Sequence, residues 1–213
     1  MKPFYWLSAT ILKIYFKIFH RIKIYGREHA HRSEAIIAPN HTSYLDPPIL
    51  GASWPYELHY LAKESLFHVP ILSFLIRRLN THPVTGNVAD ITSLKLIGNL
   101  IQEHHQVAIF PEGERSFNGE LGPLKTGISM LALRYQCPII PVYIHGPFKI
   151  WNRFRRFPKL YGKIICIFGT PITLEEFRSL HKKEAQQALT NKLAESIENL
   201  RHWYEEGAHG SPP

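Results

Sequence analysis

His41 and Asp46 stand five residues apart inside the turn-rich stretch APNHTSYLDPP, residues 38–48. In one continuous helix that spacing puts them on different faces. Asp46 precedes Pro47, however, and a residue before proline is pushed away from helical backbone. The stretch therefore predicts a strand ending at His41, a turn, and a helix over PPILGA with Asp46 as its N-cap. Such a turn folds the carboxylate back onto the imidazole. A carboxylate bonded to one imidazole nitrogen fixes the tautomer and leaves the other nitrogen free to accept a proton. Imidazoles titrate close to neutral pH, which suits general-base work. Ser43 is near enough to suggest a Ser-His-Asp nucleophile, although the chain has no G-x-S-x-G elbow. Taken alone, the same residues also fit a capping aspartate beside an incidental histidine.

A second stretch, FPEGERS at residues 110–116, ends an apolar strand with an acid, a glycine and an arginine. Gly113 lets backbone approach a ligand closely. Arg115 can clamp a phosphate bidentately, and Glu112 can hold that arginine or a substrate hydroxyl. No further histidine or carboxylate stands at ligand spacing near His41, so no metal is expected. Cys137 and Cys166 are the only cysteines, and both sit among apolar or strand-forming residues. They form neither a disulfide framework nor a metal motif, which fits a reducing compartment. Cys137 is a nucleophile in principle, but RYQCPIIPV reads as the entry to a strand.

These residues need elements to position them. RIKIYGRE, EAIIAPN, the start of ELHYLAKESLF, VAIFPEG, CPIIPVYIHG and GKIICIFGTPI read as strands. VPILSFLIRRL, ADITSLKLIGNLIQEHHQ and LKTGISMLALRYQ read as helices. A last long helix is expected after Thr173, where Glu176 completes a capping box. Alternating strands and helices predict an α/β fold: a single domain with a mostly parallel central sheet flanked by helices. Its limits are residues 22–206, followed by a disordered tail over residues 207–213.

Residues 1–21 carry a very apolar, aromatic segment. Lys13 and Lys17 interrupt it, which disfavours a transmembrane span, and no cleavage site follows. Thr10, Lys13, Lys17 and Arg21 fall on one helical stripe, while Phe4, Leu7, Ile11, Tyr15 and Ile18 cover the rest. An N-terminal amphipathic helix in the membrane interface is expected, against the alternative of a helix packed on its own domain. The net charge of +8 calls for an anionic partner without choosing one. KIWNRFRRFPKLYGK, residues 149–163, interleaves cations with aromatics and suits acidic lipid, a solvated loop or nucleic acid. LFHVPILSFLI, residues 66–76, reads as core, or as one wall of a groove for an acyl chain.

Taken together, these stretches resemble the glycerolipid acyltransferase family, most closely its 1-acylglycerol-3-phosphate acyltransferases. NHTSYLD matches the H-x-x-x-x-D signature and FPEGERS the F-P-E-G-x-R-S signature. LAKESLFHVP, with Lys63, matches the connecting stretch; LKTG, with Lys125, follows the second signature; and PIIPVYI resembles a fourth block. The resemblance implies transfer of an acyl group from acyl-CoA or acyl carrier protein to a lysophospholipid hydroxyl, with no other cofactor. It makes His41 the base and Asp46 its orienting partner. Glu112, Gly113, Arg115 and Ser116 would hold the acceptor, with Lys125 and Lys63 as further substrate contacts. It also gives the charge a partner in an anionic membrane surface, at the cytoplasmic face, rather than nucleic acid. One block departs: where the family carries an arginine in a G-x-I-x-V-x-R context, this chain has Thr85 and Gly86. Arg77 or Arg78 can substitute, or the acceptor lacks the usual phosphate.

Overall fold

The computed structural model describes residues 3–84 and 91–213. Seven strands form one sheet: β1 (Lys23–Tyr25), β2 (Ala35–Pro39), β3 (Leu58–Lys63), β4 (Thr81–Val84), β5 (Gln106–Ala108), β6 (Ile139–His145) and β7 (Ile165–Phe168). Their order across the sheet is β1-β7-β6-β2-β5-β3-β4. Five strands run parallel, while β7 pairs antiparallel with β6 and β1 follows β7. The sheet is therefore mostly parallel, with a reversed pair at one edge. All five residues of β2 are buried, as expected of a strand covered on both faces.

Side chains alternate between the two faces. Ile36, Ala38, Val107 and Ile139 join one cluster with α4 (Ile91–Gln102), α5 (Gly127–Tyr135) and α7 (Lys182–Glu205). Ala35, Ile37, Ile140 and Val142 join the other, with α1 (Pro3–His20), α2 (Asp46–Ser53) and α6 (Pro147–Trp151). α1 packs on the domain through Tyr5 and Phe16, and the Leu58 amide donates to the Tyr5 hydroxyl at 3.1 Å. Its opposite side exposes a ridge of Leu7, Ile11, Ile14 and Ile18, each more than half exposed, beside exposed Lys13 and Lys17. Among the described residues, no helix is long and apolar enough to cross a membrane.

Three expectations need correction. α3 (Pro70–Arg78) begins at its proline as expected, but no residue in it is buried, and Ile71 is 79% exposed. The last helix does not start after Thr173. Glu175–Phe177 make a short 3-10 turn that buries Phe177, and α7 begins at Lys182 with His181 as its N-cap. Residues 207–213 fold back on the body: Trp203 Nε1 donates to the His209 carbonyl, the Thr170 amide donates to that of Pro213, and Pro212 is buried. These bonds hold a segment that composition alone leaves free.

Candidate active site

His41 lies two residues beyond β2, at the edge where the parallel strands end. Open α/β sheets bind ligands beyond the carboxyl ends of their strands. Asn40 fixes the exit: its Nδ2 donates to the Ile144 carbonyl at 3.2 Å, and its Oδ1 accepts the Ile144 amide at 2.7 Å. The side chain thereby extends the β2–β6 pairing by one step and sets the direction in which His41 leaves the sheet.

The loop then winds around Asp46. Its Oδ2 accepts the amides of Thr42 and Ser43, each at 2.7 Å, and lies 2.9 Å from His41 Nδ1. A carboxylate only accepts, so Nδ1 carries the proton and Nε2 of the neutral ring is the acceptor. The His41 side chain is 17% exposed, whereas Asp46 is fully buried. Phe110 stacks on the imidazole, with ring centres 4.0 Å apart, and limits how the ring can turn. Asp46 is the first helical residue of α2, and Leu45 occupies the N-cap position in its place. The carboxylate spends its bonds on the preceding turn and the imidazole instead of the helix.

The two signature stretches are bonded to each other. Glu112 Oε1 accepts the His41 amide at 2.6 Å and Oε2 accepts the Gly122 amide at 2.9 Å, while the Ser116 amide donates to the His41 carbonyl at 2.7 Å. Both backbone polar groups of His41 are thus held by the 110–116 loop. Glu112 is buried, which pushes its carboxyl above the usual range against the pull of those two amides. The sequence pointed Glu112 at the acceptor or at Arg115; the structure turns both of its oxygens to backbone amides. Ser116 is likewise turned inward, its hydroxyl donating to Asn118 Oδ1 and accepting the Gly119 amide, both at 3.0 Å.

Gly113 has a φ of 75°, in the left-handed region that glycine tolerates. The Lys125 side chain crosses directly over it, and a Cβ at this position would meet Nζ at 2.6 Å. Arg115 lies flat on Tyr44, its guanidinium carbon 3.5 Å from the ring centre. Its Nη1 is buried without a hydrogen-bond partner among the described residues. A buried donor left unpaired is costly, so this nitrogen is short of an acceptor among the described residues. Lys63 is exposed at the end of β3, on the same edge of the sheet. Arg77 lies over Phe67, and Arg78 over Phe4 and Phe74, so both are occupied with aromatic rings. Thr85 and Gly86, where the family arginine is lacking, fall outside the described residues.

Ser43 is fully buried, donating from Oγ to the Trp151 carbonyl at 2.7 Å and accepting the Leu45 amide at 3.1 Å. It supports the loop and presents no nucleophile. Cys137 and Cys166 are buried, and burial pushes each thiol up to about 12, far from a reactive thiolate. Among the described residues, no three His, Cys, Asp or Glu side chains converge as a metal site requires. A recess of about 470 Å³ lined by Thr170, Glu175, Lys192 and Ser196 lies at the amino-terminal edge of β6, opposite His41. Sequence reasoning did not single out Asn40, Phe110, Tyr44 or Trp151. Asn40 is a strand-end asparagine, a recognisable turn signal. Nothing in the sequence ties Trp151 to a loop 108 residues away.

The α/β sheet thus carries, at one edge, a buried carboxylate, an imidazole whose Nε2 has no hydrogen-bond partner among the described residues, and a loop bearing Arg115 and Lys125. The comparisons give that site a family. Residues 21–145 match the acyltransferase family model, which spans both signatures. The chain is 29% identical over 200 residues to a Bacillus subtilis (strain 168) protein named 1-acyl-sn-glycerol-3-phosphate acyltransferase, covering 93% of this chain and 97% of that one. It is 31% identical over 206 residues to a Schizosaccharomyces pombe protein described as an uncharacterised acyltransferase, covering 91% and 71%. The fold matches the crystal structure of a 1-acyl-sn-glycerophosphate acyltransferase from Thermotoga maritima with a TM-score of 0.69 at 21% identity, covering 88% and 78%. The chain belongs to the acyltransferase family.

Proposed function

We propose that this protein moves a fatty acyl group from a thioester, acyl-CoA or acyl carrier protein, to the free hydroxyl of 1-acylglycerol 3-phosphate, giving phosphatidic acid. His41 Nε2 takes the hydroxyl proton as the oxygen attacks the thioester carbonyl. Asp46 holds the tautomer and stabilises the imidazolium that forms. The tetrahedral intermediate then expels the thiolate, which the imidazolium protonates. No acyl-enzyme forms, since Ser43 is committed to the Trp151 carbonyl and both thiols are buried.

Arg115 binds the acceptor phosphate through the nitrogen that has no partner among the described residues, and Lys125, lying over Gly113, adds charge at the same loop. Glu112 acts as a positioning residue that keeps this loop in register with His41. The exposed ridge of α1 rests on the cytoplasmic face of an anionic membrane, where both acceptor and product reside, with Lys13 and Lys17 toward the headgroups. The observation that carries the reading is the His41–Asp46 pair bonded through Glu112 to the Arg115 loop.

The experiment is product analysis by mass spectrometry, with purified protein offered a panel of lysolipids and both thioester carriers. Phosphatidic acid from 1-acylglycerol 3-phosphate is expected, and His41→Ala is expected to abolish it while the fold is retained. Substantial turnover by that variant would refute the base assignment. Thr85 and Gly86 favour a second reading, the same chemistry on an acceptor with a different headgroup or none; the lysolipid panel separates the two.

A further inference from the structure

Between α6 and β7 the chain makes a surface excursion with an unusual composition. From Lys149 to Leu174 there is no acidic residue, while Lys149, Arg153, Arg155, Arg156, Lys159 and Lys163 all fall in its first part. Phe154, Phe157, Leu160 and Tyr161 alternate with these cations, and each is more than half exposed. Four large apolar side chains in solvent on one short segment mark a contact surface.

The segment is held in place. The Phe154 amide donates to Asn152 Oδ1 at 3.0 Å, Trp151 Nε1 to the Arg155 carbonyl at 3.1 Å, and the Lys159 amide to the Ile150 carbonyl at 3.0 Å. It therefore presents its aromatic side chains in a defined arrangement.

Each end of the segment meets a part of the molecule already assigned a role. At one end, the Gly162 amide donates to the Phe19 carbonyl at 3.3 Å, and Tyr161 packs 5.9 Å from the Phe19 ring. That joins it to the carboxyl end of α1, where the exposed ridge finishes at Ile18. At the other end, Arg153 Nη1 donates to the Arg115 carbonyl at 2.8 Å while its guanidinium lies 3.7 Å over Phe117. Phe117 is itself exposed and lies 6.3 Å from Phe154.

We propose that residues 153–161, with Phe117, form a second membrane contact that seats the rim of the active site on an anionic bilayer. Phe154, Phe157, Leu160 and Tyr161 enter the boundary between headgroups and acyl chains, and Arg155, Arg156 and Lys159 meet anionic headgroups. The proposal rests on the membrane-associated reading given above. It adds that the catalytic loop, as well as α1, faces the lipid surface. Charge complementarity selects this partner: six cations and no acid in residues 149–163, with exposed Glu114 of the neighbouring loop 3.4 Å from Arg153, suit a polyanionic surface, and the interleaved apolar side chains suit one with a hydrocarbon layer beneath it.

The test uses the full chain. Phe157→Cys is labelled with an environment-sensitive fluorophore, the two natural thiols being buried. A blue shift is expected on phosphatidylcholine vesicles containing phosphatidylglycerol, and none with a single-stranded polynucleotide. The triple variant Arg155→Gln, Arg156→Gln, Lys159→Gln is expected to lose about tenfold or more in partition to those vesicles. Its turnover of a short-chain acceptor kept below its aggregation concentration should be unchanged. An α1 variant, Ile11→Ser with Ile14→Ser, runs alongside. If only the α1 variant loses binding, the loop is a solvated surface and the proposal falls. It falls equally if the shift follows protein concentration without vesicles, which means self-association, or if it follows the polynucleotide. Partition is read without any acyl transfer, so failure of the proposed reaction and failure of this contact are separate results.

Discussion

At the residue scale, the site depends on one buried carboxylate oxygen that does three things. Asp46 Oδ2 holds two amides of its own loop and the proton of His41 Nδ1. Asp46→Asn can keep an oxygen toward those amides but has no charge to offset an imidazolium. A fall in kcat of roughly 10³- to 10⁴-fold with little change in KM is expected, measured by steady-state kinetics with both substrates. A loss confined to KM would contradict the role given to the pair. Arg115 is restrained by Tyr44 beneath it, at a contact worth about 1 kcal/mol. Tyr44→Leu should therefore raise KM for the phosphorylated acceptor about fivefold at nearly constant kcat, and Tyr44→Phe should restore it. If the donor KM moves instead, Arg115 is not the acceptor's anchor. That His41, Asp46 and the Arg115 loop come together was legible, because few side-chain types suit proton abstraction and phosphate binding and those types stood in two short stretches. The inward turn of Glu112 was not. A carboxylate in a loop reads the same whether it faces ligand or backbone, and its partner amides are at His41 and Gly122, far apart in the chain.

At the element scale, six of the seven strands were legible from their apolar runs and the three amphipathic helices from their local periodicity; β4, THPV, carries no such run and was not foreseen. The antiparallel pairing of β7 with β6 was not, since an apolar run such as IICIF is the same in either direction. The exposure of α3 was also hidden: a helix with an apolar stripe looks identical whether that stripe meets a core or solvent. α1 docks one face on the domain and leaves an apolar face exposed with a basic strip beside it. Its carboxyl end is seated by His20, fully buried, with Nε2 3.3 Å from the Tyr15 hydroxyl and Nδ1 without a partner among the described residues. Burial lowers the affinity of this imidazole for a proton. The unfolded chain therefore takes up a proton that the folded chain refuses, and stability is lost as pH falls below about 6.5. One such proton changes stability by at most about 1.4 kcal/mol per pH unit. His20→Phe keeps the aromatic packing and should flatten the decline in urea midpoint from about pH 7 to about pH 5. A slope equal to that of the parent protein would show that His20 is not the group responsible.

At the scale of the whole molecule, two half-cores share one sheet. Residues of β2 and β6 alternate between them, so separating either helical layer bares side chains whose backbone neighbours serve the other. The charge of +8 spread over this frame is what first pointed to an anionic partner, but composition carries no information about where the cations gather. The shared sheet makes a sharper demand on unfolding. Cys137 lies in the layer of α4, α5 and α7, and Cys166 in the layer of α1, α2 and α6. Both thiols are pushed up to about 12 by burial, so neither reacts with an alkylating reagent near neutral pH while the fold is closed. Once exposed, each returns to an ordinary thiol and reacts. Alkylation followed peptide by peptide along a urea series should therefore give the two cysteines the same opening free energy and the same denaturant dependence. An opening that reaches one thiol must uncover β2 or β6 and with it the opposite face. Earlier labelling of Cys166 with a shallower slope would show that the α1 layer lifts away by itself and that the sheet does not bind the two halves into one cooperative unit.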